Sequence, residues 1–261
     1  MDSTTTFPLP LLPTIPDNLD DMDSRKSIRY INTFMKNALI RGLNNVYTLA
    51  ELVEDSETIL CSFLDYALVV CDMICLHIEG TQPCCDESFF TTPNSEGVAL
   101  LKILGKSSNM NDGGKMYNDI KALQQKIYAW KESPSTYSPN LLRMAVIQFA
   151  QEVYWKMEKQ RGRLPNKTQV ESMDADVLAK AITDKALRSM IDENLQWLAS
   201  HSDITYLLPF VLSHHDVRTS SYWPSVSPEG LEMVPELVMV HAECWEFAPI
   251  DPVTREVKTR K

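Results

Sequence analysis

One histidine, His77, falls on the apolar side of a long helical pattern, two residues before Glu79 and one turn after Asp72 and Met73. An imidazole in such a stripe has two uses. It can be a core histidine satisfied by a backbone carbonyl, or a general acid or base working inside an apolar cavity. His214-His215-Asp216 has the composition of a metal cluster. Neighbours on a helix diverge by about 100°, and on a strand they point to opposite faces, so adjacent histidines rarely chelate one ion and a structural role is expected. Cys71 and Cys75 are four apart, and Cys84 and Cys85 are adjacent. Neither spacing makes a zinc knuckle or a redox pair, which leaves reduced, mostly buried thiols. Phosphate loops, dinucleotide fingerprints and nucleophile elbows do not occur, and Gly113-Gly114 reads as a turn.

The elements that must position these groups are helices. Ile28, Ile31, Met35, Leu39, Leu43, Val46, Ala50 and Val53 recur at spacings of three and four. A second stripe runs over about 57–79 through Ile59, Phe63, Ala67, Val70, Ile74 and His77, and Gly80 and Pro83 end it. Met116, Ile120, Leu123, Ile127 and Trp130 make a third, closed by Pro134 and Pro139. Leu142, Ala145, Phe149, Val153, Lys156 and Met157 make a fourth. Four amphipathic segments of about 20 residues bury their stripes only against one another, so the expected fold is all-α, an antiparallel four-helix bundle. Further helical pattern follows over 174–200 and 229–242, and Trp223, Trp245 and Phe247 are expected to pack back onto the bundle. The expected organisation is a flexible N-terminal arm at 1–23, the bundle at 24–165 and a helical C-terminal extension at 166–261.

Charge narrows the partners. The 261 residues carry 25 Lys and Arg against 35 Asp and Glu, a net charge of −10, and phosphate backbones and anionic lipid are repelled by such a surface. Nucleic acid and membranes are therefore not expected partners. The first 16 residues hold no Lys or Arg and are broken by Pro8, Pro10, Pro13 and Pro16, so no secretory signal is read there. No unbroken apolar run approaches the roughly 18 residues of a spanning helix. A cytoplasmic location is expected.

Lys36-Asn37-Ala38-Leu39-Ile40-Arg41-Gly42-Leu43-Asn44 resembles the first helix of hemerythrin-like (HHE cation-binding) proteins, especially their fungal branch. Two stretches look like that branch's C-terminal extension: Leu208-Pro209-Phe210-Val211-Leu212-Ser213-His214-His215-Asp216, and His241-Ala242-Glu243-Cys244-Trp245-Glu246-Phe247-Ala248-Pro249. The resemblance implies a four-helix bundle that, in metal-bearing relatives, holds two irons on histidines and bridging carboxylates. Here the first-helix ligand position is Lys36, the third helix offers Met116 and Asp119, and the fourth offers Lys156 and Gln160. Of the five histidines only His77 lies within the four bundle helices. Imidazoles and carboxylates cannot converge from all four, so no di-iron centre and no cofactor are expected.

What the resemblance leaves is a degenerate cavity in which lysines stand where dications sat. An ammonium against apolar walls keeps an anion nearby or loses its proton. The expected catalytic set is His77, Lys36, Lys156 and Glu79, with Arg41, Asn44, Asp119 and Glu152 as substrate-binding residues. The expected function is a metal-independent, proton-driven cyclisation, isomerisation or elimination on a small, mostly apolar metabolite, with a place in fungal secondary metabolism taken by analogy. A non-catalytic ligand- or partner-binding protein is the alternative. A weaker one is a magnesium-dependent cyclase for a diphosphate, using Glu79, Asp86, Glu87 or Asp119. Asp20-Asp21-Met22-Asp23 is similar to the aspartate-rich motif of terpene cyclases, but it lacks an acid at the fifth position and reads as a solvated helix start.

Overall fold

The structure is a computed structural model, and it describes residues 7–14, 33–53, 57–81, 113–163, 197–220, 223–224 and 226–259. Ile28, Ile31, the Asp20–Asp23 stretch, Cys84, Cys85, Asp86, Glu87, most of the 174–200 pattern and the side chain of Gln160 lie outside the described residues. Among the described residues the chain is all helix and turn, with one isolated bridge between Ile250 and Val257.

Four long helices carry the core: α1 (Thr33–Leu49), α2 (Glu57–Thr81), α3 (Gly113–Glu132) and α4 (Pro139–Arg163). Each packs on two others, α1 on α2 and α4, and α3 on α2 and α4. Their ends follow local chemistry. Pro134 cannot continue α3, and a 3₁₀ turn, Pro134–Thr136, replaces it. Pro139 then occupies the first turn of α4, where its missing N–H would have no partner anyway. Tyr137, between them, donates its hydroxyl to the Ala50 carbonyl at 2.8 Å and ties this loop to the end of α1. The Gly113-Gly114 pair expected as a turn opens α3 instead.

The described residues of the stripes read from the sequence are buried, except that His77, Ala145 and Lys156 are half-buried and one position is displaced. Ile59 is exposed on the first turn of α2 and Leu60 takes the core position. Asp65 and Asp72 interrupt α2's apolar runs, yet its Glu57–Glu79 stretch is long and apolar enough to cross a membrane by composition. Most of that stretch is buried inside the protein against α1 and α3, as in the core helix of a globular fold. Helix α1 departs most from a one-sided stripe. Thr33 to Ile40 are all buried, Lys36 and Asn37 included, because other chain segments cover the face turned away from α2 and α4.

Those segments are the arm and the extension. Phe7–Thr14 lies along α1, with Leu9 and Leu12 in the core. From the other end of the chain come α5 (Ile204–His214), α6 (Pro228–Glu232), α7 (Val234–Val240) and α8 (Ala242–Trp245). Helix α5 rests on α1, and α8 on α2. The approach of α1 is close at Gly42, where a Cβ would lie 3.2 Å from Val70 and 3.5 Å from Phe210. Trp245 is buried, Phe247 packs edge-on against Phe63, and Trp223 stacks on Phe34. The helix expected over 229–242 is broken into α6 and α7. Pro235 has no N–H to offer Leu231 and its ring clashes with that carbonyl.

Candidate functional site

Lys36 enters from the first turn of α1 and His77 from the last turns of α2, near enough for the lysine's charge to act on the imidazole. Burial, and after it the charge of Lys36, pushes His77 down to about 3, so its ring is neutral at physiological pH. Its Nε2 is enclosed and meets no hydrogen-bond partner among the described residues. A neutral imidazole with an unspent Nε2 beside a buried ammonium is a hydrogen-bonding and electrostatic device. Its pKa is too low for efficient general-base work near neutrality.

The other expected residues are placed elsewhere. Glu79 is exposed and accepts from the Tyr117 hydroxyl at 2.9 Å. Two helical residues apart means about 200° apart, so Glu79 faces away from His77 although the two are near neighbours in sequence. Lys156 pairs with Glu152 at 3.0 Å within α4, and among the described residues Lys36 is the charge acting on His77. Asp119 accepts from Gln148 at 3.1 Å and sits 3.8 Å from Lys115. Arg41 donates to the His214 carbonyl at 3.0 Å, where a cation suits the C-terminal end of α5. Asn44 is spent on the backbone of Leu9. Arg41 and Asn44 thus hold neighbouring segments onto α1 rather than facing the Lys36–His77 pair.

His214 and His215 diverge as adjacent residues should. His214 Nδ1 donates to the Phe210 carbonyl at 2.8 Å, which leaves Nε2 to accept from Tyr66 at 2.7 Å. Asn45 completes this chain by donating to the Tyr66 oxygen at 2.9 Å and to the Phe247 carbonyl. His215 points the other way, bonding the Ser220 carbonyl at 2.8 Å between Phe34 and Trp223. Burial lowers both, His214 to about 3 and His215 to about 4.

A groove of about 510 Å³, ample for a small molecule, opens on the opposite side of α2 from His77. Its floor is apolar, with Leu68, Val69, Met73 and Leu76, and Tyr128 and Tyr206 stand at its walls. All four of its carboxylates have a partner. Asp65 is paired with Lys131, Glu79 with the Tyr117 hydroxyl, and Asp203 caps α5 by accepting from the Thr205 N–H at 2.8 Å. Asp72 differs. It accepts from the neutral Gln124 amide at 2.6 Å, and the surrounding protein raises its pKa against the opposing pull of that bond and of Lys121. Lys121 lies 5.2 Å over the Tyr117 ring and pairs with no carboxylate among the described residues. Cys75, also in the groove, is pushed up to about 12 by burial and is no thiolate nucleophile. Asp72 escaped the sequence reading as a site residue because nothing in its own stretch announces Gln124 and Lys121, some 50 positions on. The available signal is the seven-residue spacing of Asp65, Asp72 and Glu79, which puts three acids along one face of a very apolar helix.

The chain matches no protein-family model, no curated protein and no solved structure. The donor set can still be weighed against the di-iron pair that the hemerythrin-like resemblance implies. Among the described residues no three His, Cys, Asp or Glu side chains converge, and a buried ammonium at Lys36 would repel a dication. The residues present do not fit such a centre. Trp155 is exposed, while Trp223 and Trp245 fill separate packing contacts.

Proposed function

We propose that the chain is a metal-independent enzyme of proton-transfer chemistry, acting on a small, mostly apolar metabolite. Its helices are read as an antiparallel four-helix bundle of hemerythrin-like descent with a helical C-terminal extension. The support for that descent is the Lys36–Asn44 stretch and the two C-terminal stretches that resemble the family. A soluble, cytoplasmic protein goes with this reading.

The observation that carries it is Asp72. This carboxyl opens onto a ligand-sized groove, has a raised pKa, and has a cation, Lys121, near it without a direct ion pair. Such a group can take a proton from a carbon acid and return it to a second carbon, while Lys121 stabilises the enolate oxygen between the two steps. The result is an isomerisation that needs no redox partner. The test is a small-metabolite screen by ligand-observed NMR in heavy water, which reads binding and carbon–hydrogen exchange together. Compounds that exchange with the unaltered protein and not with Asp72→Asn support the proposal. Equal exchange with both removes Asp72 from the chemistry, and binding without exchange leaves a ligand-binding protein.

A second reading rests on the unspent Nε2 of His77. There, a carboxylate or enolate ligand would accept from a neutral imidazole and from Lys36. Lys36→Met and Lys156→Met, each with its helical circular dichroism intact, separate the two readings in the same screen. Loss of exchange in Lys36→Met with retention in Asp72→Asn places the chemistry inside the bundle.

A further inference from the structure

Two asparagines seven residues apart on α1 read the backbone of the arm. Asn37 Oδ1 accepts from the Leu12 N–H at 2.8 Å, and its Nδ2 donates to the Leu12 carbonyl at 2.9 Å. Asn44 does the same for Leu9, at 2.7 and 2.8 Å. Each side-chain amide thus satisfies both polar groups of one backbone residue, as a neighbouring strand would. The spacing fits an extended proline-rich peptide. Seven helical residues rise about 10.5 Å, and three residues of polyproline-type chain rise about 9.3 Å with the third returning to the same face. Pro8, Pro10 and Pro13 have no N–H, so Leu9, Leu11 and Leu12 are the donors within 8–13, and α1 uses two of them. The two leucines that are read are buried, while Leu11 between them is exposed. Beyond them, Phe7 stacks on Tyr47 at 4.1 Å, and Arg143 covers Tyr47's ring at 4.2 Å.

We infer that this face of α1 is a recognition groove for an extended peptide of the pattern aromatic-Pro-Leu-Pro-x-Leu-Pro, and that residues 7–14 occupy it as a built-in, displaceable ligand. Backbone reading by Asn37 and Asn44 sets the register, and the two leucine seats and the Tyr47 platform set the sequence preference. Displacement of the arm frees the groove for a proline–leucine segment of another chain. A tethered ligand competes at an effective concentration in the millimolar range, so the arm masks the groove against weak competitors.

The test uses the full-length protein with its arm weakened, Leu9→Ser with Leu12→Ser, and a fluorescein-labelled peptide copying residues 5–16. Fluorescence polarisation should show saturable binding to this variant at least tenfold tighter than to the unaltered chain. Adding Asn37→Ala and Asn44→Ala should weaken it tenfold or more. A peptide that binds neither protein, or that binds the asparagine variant equally well, overturns the inference. Should the leucine variant fail to fold, hydrogen exchange on the unaltered chain decides. The Leu9 and Leu12 amides should exchange at least a hundredfold faster than the core amides of α1, through opening of the arm alone. Protection equal to the core would mean that the arm leaves only on global unfolding and is not displaceable.

Discussion

His214 is a buried imidazole and His77 a half-buried one with its Nε2 enclosed, and burial pushes both down to about 3. Their polar atoms are treated differently. His214 has Phe210's carbonyl on one nitrogen and Tyr66's hydroxyl on the other, and its ring lies flat against Phe210 at 4.2 Å. His77 has Lys36's charge acting on it and an Nε2 with no partner among the described residues. Neutrality imposed by burial is therefore no mark of function, because a satisfied structural histidine has it too. The unspent Nε2 separates these two histidines, although His77 shares that condition with Nδ1 of His215 and the indole nitrogen of Trp245.

The property the two share should give the largest effect. With His215, three histidines are held neutral in the fold, below their ordinary 6.5. Unfolding below that value lets each take up a proton, so the stabilisation is fully present above about pH 6.5 and is lost as the pH falls to about 4 for His215 and about 3 for His77 and His214. Each group contributes about 1.4 kcal/mol per pH unit, so urea unfolding should weaken by about 4 kcal/mol per unit around pH 5, with about three protons taken up. A slope of one proton would mean that two of these three rings are charged in the fold.

Substitution then breaks the pair apart. His214→Leu leaves the Tyr66 O–H without its acceptor inside the core, while Asn45 keeps its bonds to the Tyr66 oxygen and the Phe247 carbonyl, at an expected loss of about 1–3 kcal/mol in chemical denaturation. His77→Leu removes an unpaired polar atom from an apolar wall and should change stability by under about 1 kcal/mol in either direction. Equal losses in both variants would show that His77 has a structural partner and would cancel the distinction drawn between them.

The sequence showed much of this core and less of the site, for a physical reason. Apolar stripes are local, so Leu39, Leu43, Val70, Ile74, Ile120, Ile127 and Phe149 could be assigned to the interior by spacing alone. The packing of Trp245 and Phe247 was legible too, because large rings in a polar stretch need a surface to cover. What Arg41 and Asn44 do depends on chain far from them in sequence, the His214 carbonyl and the Leu9 backbone, and no local pattern encodes that meeting. Glu79 misled for the opposite reason, since nearness in sequence suggested a partnership with His77 that helical geometry forbids. Asp72 has a raised pKa first from partial burial in the assembled fold, to which the charge of Glu79 on the same helix adds.

The smallest effect is also the most specific to the Lys36–His77 pair. Burial is the first cause of His77's low pKa and Lys36's charge the second. Lys36→Met keeps most of the apolar length and removes the charge, so the ring stays enclosed and only the second cause is lost. The His77 titration, followed by its ring-proton NMR signal, should then move up from about 3 and remain well below 6.5. His214 is an internal control. The charges acting on it are Arg41 and Lys258, so its titration should not move in the same variant. A rise confined to His77 ties the two residues electrostatically and gives the inner reading its footing. No rise, or an equal rise in both histidines, would mean that Lys36 acts through packing rather than through its charge, and the inner site would then lose the cation on which its anion-binding chemistry depends.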